Sequence, residues 1–331
     1  MALPIRALTD APPDAIFGIS DAFAHDRRPR KVNLAIGVYV DENGLTPVLA
    51  TVLDAERRLV ARAASKTCRP IDGADGYRTA VRELIFGTRS RTVESGRALS
   101  VQTPGGTGAL RVAADFLAQT GGGRTIWLPA PTWPIHSQLF GLAGYKVARY
   151  PYLDASGRAI NRPALLGALS SADRGDLVLL HGSCHNPTGI DPSPELWQEI
   201  AYVLAFRQLL PIVDFAYQGF GVGLREDAAW LRAIDRPDLE FLICSSFSKN
   251  FSLYNERVGA LTVVAHDRAR SAATLSHIKI AIRANYSNPP SHGADVVETI
   301  LSDPILRPHW EVEVGQMRHR IQATRQEPVR A

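Results

Sequence analysis

Short apolar runs alternate with stretches of helical spacing over most of this 331-residue chain. Thr125-Ile126-Trp127-Leu128, Leu177-Val178-Leu179-Leu180, Leu210-Pro211-Ile212-Val213, Phe241-Leu242-Ile243-Cys244 and Gly259-Ala260-Leu261-Thr262-Val263-Val264 each predict a buried strand. Helical spacing is read over 51–64, where Val52, Ala55, Leu59 and Val60 recur, and over about 107–119, 194–207 and 267–281. A long helix is expected to begin near Leu306. Residues 1–48 read as irregular, rich in Pro, Asp and Gly, with one short strand near Lys31-Val32-Asn33-Leu34. Strands that alternate with helices predict an α/β fold, with a mostly parallel sheet between helices on both faces. In such sheets ligands bind beyond the carboxyl ends of the strands, so the residues after each run are where chemistry is expected.

Composition narrows the class. An apolar share of 45% and a charged share of 21% are those of a globular protein and set aside disordered and fibrous chains. The net charge of +4 is mild, and the nearest thing to a basic cluster, Arg27-Arg28-Pro29-Arg30-Lys31, reads as a solvated loop rather than a nucleic-acid patch. Three scattered cysteines, Cys68, Cys184 and Cys244, are too few for a disulfide framework and fit a reducing compartment. The N-terminus lacks the apolar core of a signal peptide, and no apolar run approaches the about 18 residues that span a bilayer. A soluble cytoplasmic protein with neither membrane nor nucleic acid as partner is the expectation.

Four segments after strands or at helix starts carry unusual residues. Thr103-Pro104-Gly105-Gly106-Thr107-Gly108 opens a helix, where glycines let backbone approach an anion and free N–H groups point at it. Alone, it reads as a plain tight turn, and neither a dinucleotide fingerprint nor a Walker loop is present. His181-Gly182-Ser183-Cys184-His185-Asn186-Pro187-Thr188-Gly189 follows the second run; adjacent Cys184 and His185 make a poor chelate, so no metal is expected. Asp214 ends an apolar strand, where a carboxylate needs a cation or hydrogen bonds. Lys249, within Ser245-Ser246-Phe247-Ser248-Lys249-Asn250-Phe251 and eight residues before Arg257, is a candidate Schiff-base amine, although a lone lysine more often lies on the surface.

Taken together and in order, these segments resemble the class I, fold-type-I aspartate and aromatic amino-acid aminotransferases, which use pyridoxal 5′-phosphate (PLP). The likeness runs from about residue 10 to about 325 and is also carried by Asn33-Leu34-Ala35-Ile36-Gly37-Val38-Tyr39, Asp214-Phe215-Ala216-Tyr217-Gln218-Gly219-Phe220 and Ala281-Ile282-Arg283-Ala284-Asn285-Tyr286-Ser287-Asn288-Pro289-Pro290. The resemblance implies that Lys249 bonds the PLP aldehyde and, once displaced, shuttles the α-proton. It implies that Asp214 pairs with the ring nitrogen, supported by His136, and that Trp133 stacks on the ring. Asn186 and Tyr217 are expected at the ring oxygen, and Gly106, Thr107, Ser246 and Arg257 at the phosphate. Gly37, Trp133, Asn186 and Arg283 are expected at the substrate, with Arg283 supplied by a second copy to clamp a distal carboxylate. The implied activity is ping-pong transfer of the amino group of aspartate, or of an aromatic amino acid, to 2-oxoglutarate by a homodimer with shared sites.

Two departures accompany the likeness. Cys68 stands where relatives carry a tyrosine that reaches across the dimer, which predicts weaker cofactor retention and slower proton transfer. Relatives continue beyond the helix that begins near Leu306, so the expected division is an N-terminal segment 1–48, a large PLP-binding domain 49–304, and 305–331 as the start of an interdomain helix. Pro328 is expected to interrupt that helix. The small domain is then incomplete, and the family arginine for the substrate α-carboxylate has no counterpart. The alternatives are a catalytically idle PLP-binding relative and a PLP enzyme of another reaction type, such as a decarboxylase, which Arg283 argues against.

Overall fold

The apolar runs pair into one seven-stranded sheet. The computed structural model describes residues 8–10, 17–33, 37–121 and 124–326. The first elements are α1 (Phe17–His25), α2 (Ala50–Arg62), α3 (Asp75–Phe86), α4 (Arg91–Glu94), β1 (Ala98–Pro104), α5 (Gly105–Gln119) and β2 (Thr125–Ala130). There follow α6 (Pro134–Leu142), β3 (Lys146–Pro151), α7 (Arg162–Ser171), β4 (Leu177–His181), α8 (Pro194–Arg207), β5 (Leu210–Phe215) and α9 (Leu231–Ile234). The last are β6 (Phe241–Ser246), β7 (Val258–Val264), α10 (Arg268–Asn285), α11 (His292–Ser302) and α12 (Leu306–Gln326). The strand order is β1-β7-β6-β5-β4-β2-β3. All pairings are parallel except those of β7, which runs antiparallel to both β1 and β6.

Local chemistry explains where several helices start. The Ser193 hydroxyl accepts from the Leu196 N–H at 3.3 Å, with Pro194 as the first helical residue, so α8 occupies the predicted span. Asp267 caps α10 through the Arg270 N–H at 2.7 Å. The helix expected near Leu306 begins there, with Pro308 tolerated in its first turn, and continues to Gln326; Pro328 lies outside the described residues.

Alternate strand residues face one helical layer. Leu99 and Val101, Ile126 and Leu128, Leu177 and Leu179, Leu242 and Cys244, and Leu261 and Val263 share a core with α5, α6 and α10. The residues between them, including Val178, Leu180, Val213 and Ile243, are equally buried, so both faces of the sheet are covered. Strands β1 and β3 escape a search for apolar runs. Ser100 and Gln102 interrupt β1, yet the Ser100 hydroxyl lies 2.7 Å from that of Thr262, and Gln102 Nε2 donates to Pro290 O at 2.6 Å. Strand β3 is an edge strand and carries Lys146 and Arg149.

The chain forms two compact units, Met1–Thr46 and Pro47–Ala331, and the second contains the whole sheet. In the first, Lys31 Nζ donates to Phe23 O at 2.7 Å and to Asp26 O at 2.6 Å, and Arg28 pairs with Asp26 at 2.5 Å. Part of the basic run therefore serves the end of α1. The strand expected near Lys31 is absent from residues 31–33: Val32 is exposed and Lys31 turns back onto α1; Leu34 lies outside the described residues.

Register brings the site to one edge. His181 at the end of β4 pairs with Asp214, Asp214 with Cys244, and Phe215 with Ser245. Antiparallel β7 starts where β6 ends, Ser246 opposite Gly259, and where β1 ends, Pro104 opposite Val258. A Cβ on Gly259 would stand 2.4 Å from the Gly105 carbonyl carbon and 2.7 Å from Ser245 O, so only glycine lets β7 press against the start of α5. Gly259→Ala is expected to cost about 2 kcal/mol or more, because backbone on both sides must move. Urea unfolding with an unchanged slope measures it, and a wild-type midpoint would refute the close approach.

Candidate active site

Asp214, one residue before the end of β5, is almost fully buried, and its carboxylate is the hub of a directed hydrogen-bond chain. His136, in the first turn of α6 and fully buried, places Nε2 2.9 Å from Asp214 Oδ2. His136 Nδ1 lies 2.8 Å from the Thr132 hydroxyl, which is 3.1 Å from His181 Nε2. The Asn186 backbone N–H donates to His181 Nδ1 at 3.5 Å. A peptide N–H can only donate and an ionised carboxylate can only accept, which fixes the intervening protons. His181 donates to Thr132, Thr132 to His136, and His136 to Asp214. Burial drives the His181 imidazole far below its ordinary range, which keeps that ring neutral. Burial by itself pushes the Asp214 carboxyl up. The hydrogen bond from His136 and the nearby charge of Lys249 outweigh that and hold it below the usual range.

Lys249 lies three residues beyond β6, its Nζ 4.5 Å above the centre of the Tyr217 ring. Burial lowers its pKa; Asp214 opposes that and Arg257 reinforces it. The amine therefore gives up its proton more readily than a surface lysine. Tyr217 accepts from Asn186 Nδ2 at 3.4 Å. Burial first, then the charges of Asp214, Cys184 and Tyr254, push its phenol up to about 12, so it stays protonated and keeps its own O–H to donate.

The third part is a cradle for an anion. Pro104 precedes α5 without a side-chain cap, so the first N–H groups of the helix, beginning with Gly105, Gly106 and Thr107, have no side-chain acceptor there. A Cβ on Gly105 (φ +75) would stand 2.6 Å from Arg257 Nη2, and one on Gly106 3.0 Å from Ser246 Cβ. The glycines thus let a guanidinium and a serine close on the helix start. Arg257 donates to Tyr254 O at 2.8 Å and to Ser248 Oγ at 3.4 Å. No carboxylate pairs with it among the described residues. An uncapped helix start facing an unpaired arginine is an arrangement that fits phosphate.

These contacts bring together Lys249, Tyr217, Asp214, Asn186 and His136, and beside them Gly106, Ser246 and Arg257, with Thr107 exposed on the first turn of α5. Trp133 stands edge-on to His136 with ring centres 5.3 Å apart. Arg283 is exposed in the last turn of α10 and bonds Ser287, and no described contact joins it to this cluster. Gly37 is exposed in the N-terminal unit. The motif reading missed Thr132, His181, Ser248 and Asp227. Asp227 accepts from the backbone N–H groups of Gly219, Gly221, Val222 and Gly223, at 2.7 to 3.3 Å, and so shapes the loop after Tyr217. A buried histidine one residue before a Gly-Ser turn was the available signal for His181. Among the described residues, no three His, Cys, Asp or Glu side chains gather to hold a metal.

Residues 29–330 match the family described as aminotransferase class I and II. The chain belongs to that family. It is 51% identical to the aspartate aminotransferase of Escherichia coli (strain K12) over 319 residues, 96% of this chain and 81% of that protein. It is 46% identical to the aromatic-amino-acid aminotransferase of Pseudomonas aeruginosa, covering 95% of this chain and 78% of that one. The crystal structure of the aromatic-amino-acid aminotransferase from Burkholderia pseudomallei, covalently bound to pyridoxal phosphate, superposes with a TM-score of 0.95 at 42% identity. That match covers 98% of this chain and 81% of that one. The seven-stranded α/β sheet is therefore that of the fold-type-I aminotransferases, as the motifs predicted.

In this aminotransferase fold the half-buried lysine weakens the ligand-free protein. The unfolded chain binds a proton at Lys249 more readily than the folded chain, so stability rises with pH between the depressed folded value and about 10.4. Lys249→Met is expected to raise the Tm of the ligand-free protein at pH 7, with the gain shrinking towards pH 10. A Tm at or below wild type across that range would contradict it.

Proposed function

We propose that this chain transfers the amino group of aspartate to 2-oxoglutarate in a PLP-dependent ping-pong cycle, with aromatic amino acids as further donors. The carrying observation is the spacing of opposite charges on one sheet edge. A buried carboxylate held ionised lies at one end, an uncapped helix start with an unpaired arginine at the other, and a softened lysine amine near both. The residues fit PLP: Asp214 Oδ1 has no hydrogen-bond partner among the described residues and suits a pyridinium N–H, while Tyr217 and Asn186 suit a ring oxygen. Gly106, Thr107, Ser246 and Arg257 suit the phosphate, with Ser248 beside them and Trp133 for the ring face.

PLP supplies an aldehyde for the amino group and a ring that withdraws electrons from the α-carbon. Asp214 holds a negative charge that keeps the ring nitrogen protonated, and the chain from Asn186 to His136 keeps that carboxylate oriented. Lys249 Nζ, with its pKa depressed, takes the α-proton and returns it, acting as base and then as acid. Tyr217 donates its phenol proton and fixes the amine from below its ring face.

Substrate recognition is assigned to Gly37, Trp133, Asn186 and Arg283. The exposed guanidinium of Arg283, supplied by a second copy, is assigned to the distal carboxylate of a dicarboxylate substrate, so the active form is a homodimer that shares its sites. The large PLP-binding domain is assigned to 49–304, with the preceding segment and the helix from 305 flanking it. A cytoplasmic location is supported by three free cysteines, and among the described residues no helix is long and apolar enough to cross a membrane.

Purified protein loaded with PLP is expected to show a visible absorbance band that aspartate converts and 2-oxoglutarate restores. Lys249→Ala should abolish both the band and turnover. Asp214→Asn should retain the fold and lower kcat by at least about a thousandfold, since the ring nitrogen loses its ionised partner. A wild-type band indifferent to aspartate marks an idle binder, carbon dioxide release marks a decarboxylase, and either result would overturn the proposal.

A further inference from the structure

One face of α12 meets three of the loops that carry the site, in order along its length. Trp310, Val314, Arg318, Gln322 and Arg325 recur every three or four residues, a single stripe on the helix. Trp310 is fully buried and stacks on Phe251 with ring centres 4.4 Å apart, and its Nε1 donates to Asn250 O at 2.8 Å. Those two partners directly follow Lys249. One turn on, a Cβ at Gly219 would come 2.7 Å from Val314 Cγ1, so the absent side chain lets the loop after Tyr217 lie on the helix. Arg318 Nη1 donates to Gly219 O at 2.9 Å, and Gln322 Nε2 to Gly221 O at 2.9 Å. At the last turn the Arg325 guanidinium lies 3.7 Å from where Gly189 would carry a Cβ, in the turn that holds Asn186.

Plain packing accounts for Trp310 and Val314, which are buried apolar side chains. It does not account for Arg318 and Gln322, two long polar side chains whose ends are spent on loop carbonyls. Ordering them costs side-chain entropy, which only the placement of the loop repays. The same loop gives its N–H groups to Asp227, from Gly219, Gly221, Val222 and Gly223. Residues 219–223 are thus gripped on both sides, N–H groups by Asp227 and carbonyls by α12, although neither grip touches the reacting atoms.

We propose that α12 is the positioning element of the site: Trp310, Arg318, Gln322 and Arg325 fix where Lys249, Tyr217 and Asn186 stand relative to one another. None of the four is a catalytic residue. Its effect on turnover rests on the aminotransferase reading, because a misplacement of about 1 Å at a reacting group costs rate rather than ground-state affinity. Its effect on the loop does not rest on that reading.

The test compares wild type with Arg318→Ala, Arg318→Lys and Gln322→Ala, and with Val312→Ala on the exposed side of α12 as control. Hydrogen exchange of the Gly219–Gly223 amides, in protein with and without PLP, is expected to quicken about fivefold or more in Arg318→Ala. Arg318→Lys should fall between, and the control should match wild type. With aspartate, kcat should fall about tenfold in Arg318→Ala while KM stays within about twofold. Wild type that fails to turn aspartate over sinks the aminotransferase reading alone, and the exchange data then decide the role of α12. Unchanged exchange in both Arg318→Ala and Gln322→Ala overturns the proposal. Should Arg318→Ala not fold, Gln322→Ala and Arg318→Lys carry the same measurement.

Discussion

A negative charge buried at the end of β5 is the constraint around which this molecule is arranged. Placing Asp214 out of water is unfavourable unless donors and positive charge are supplied, and the fold supplies both from separate elements. His136 comes from the first turn of α6, and His181 from β4, brought beside Asp214 by strand register. Thr132 joins the two rings, and the Asn186 peptide terminates the chain with a group that cannot reverse its polarity. Each link is set by backbone that the sheet already fixes, which is why the carboxylate can be held ionised with little freedom.

The reversed strand β7 does comparable service at the anion-binding end. Only 11 residues, 247–257, connect β6 to β7, too few for the helical crossover that a parallel neighbour requires. The short link forces an antiparallel return, and the return sets Lys249 and Arg257 at the same edge as the start of α5. Glycine at 105, 106 and 259 then removes the side chains that would hold these three backbones apart.

Much of this was legible in the chain itself. Runs at 125, 177, 210, 241 and 259 became β2, β4, β5, β6 and β7, because strands buried on both faces carry continuous apolar sequence. Strand β1 did not show, since Ser100, Gln102 and Thr103 make it look like a loop until their partners on neighbouring segments are known. The strand expected near Lys31 did not form in residues 31–33, where the lysine finds carbonyls at and just past the end of α1 instead. At the site, likeness to the family supplied Lys249, Asp214, Tyr217 and Asn186. Thr132, His181 and Asp227 stayed hidden, because a threonine or a histidine in a turn has no meaning until register sets it against a carboxylate. Arg283 and Gly37 were named by likeness as well, and among the described residues no contact joins either to the lysine cluster.

Three polar features of the site act on one another through charge. Arg257 adds to the cost of a charged Lys249, and Arg257 itself lies against a helix start whose N–H groups lack a side-chain cap. Under the proposed function, all three would be answered by one ligand that carries a phosphate and an aldehyde. A ligand that binds only the folded chain adds to stability in proportion to the logarithm of its concentration over its dissociation constant. Cofactor binding and folding are therefore coupled through the same few charges. The apolar core and the polar grip of α12 hold the loops through contacts that use neither Lys249 nor Arg257.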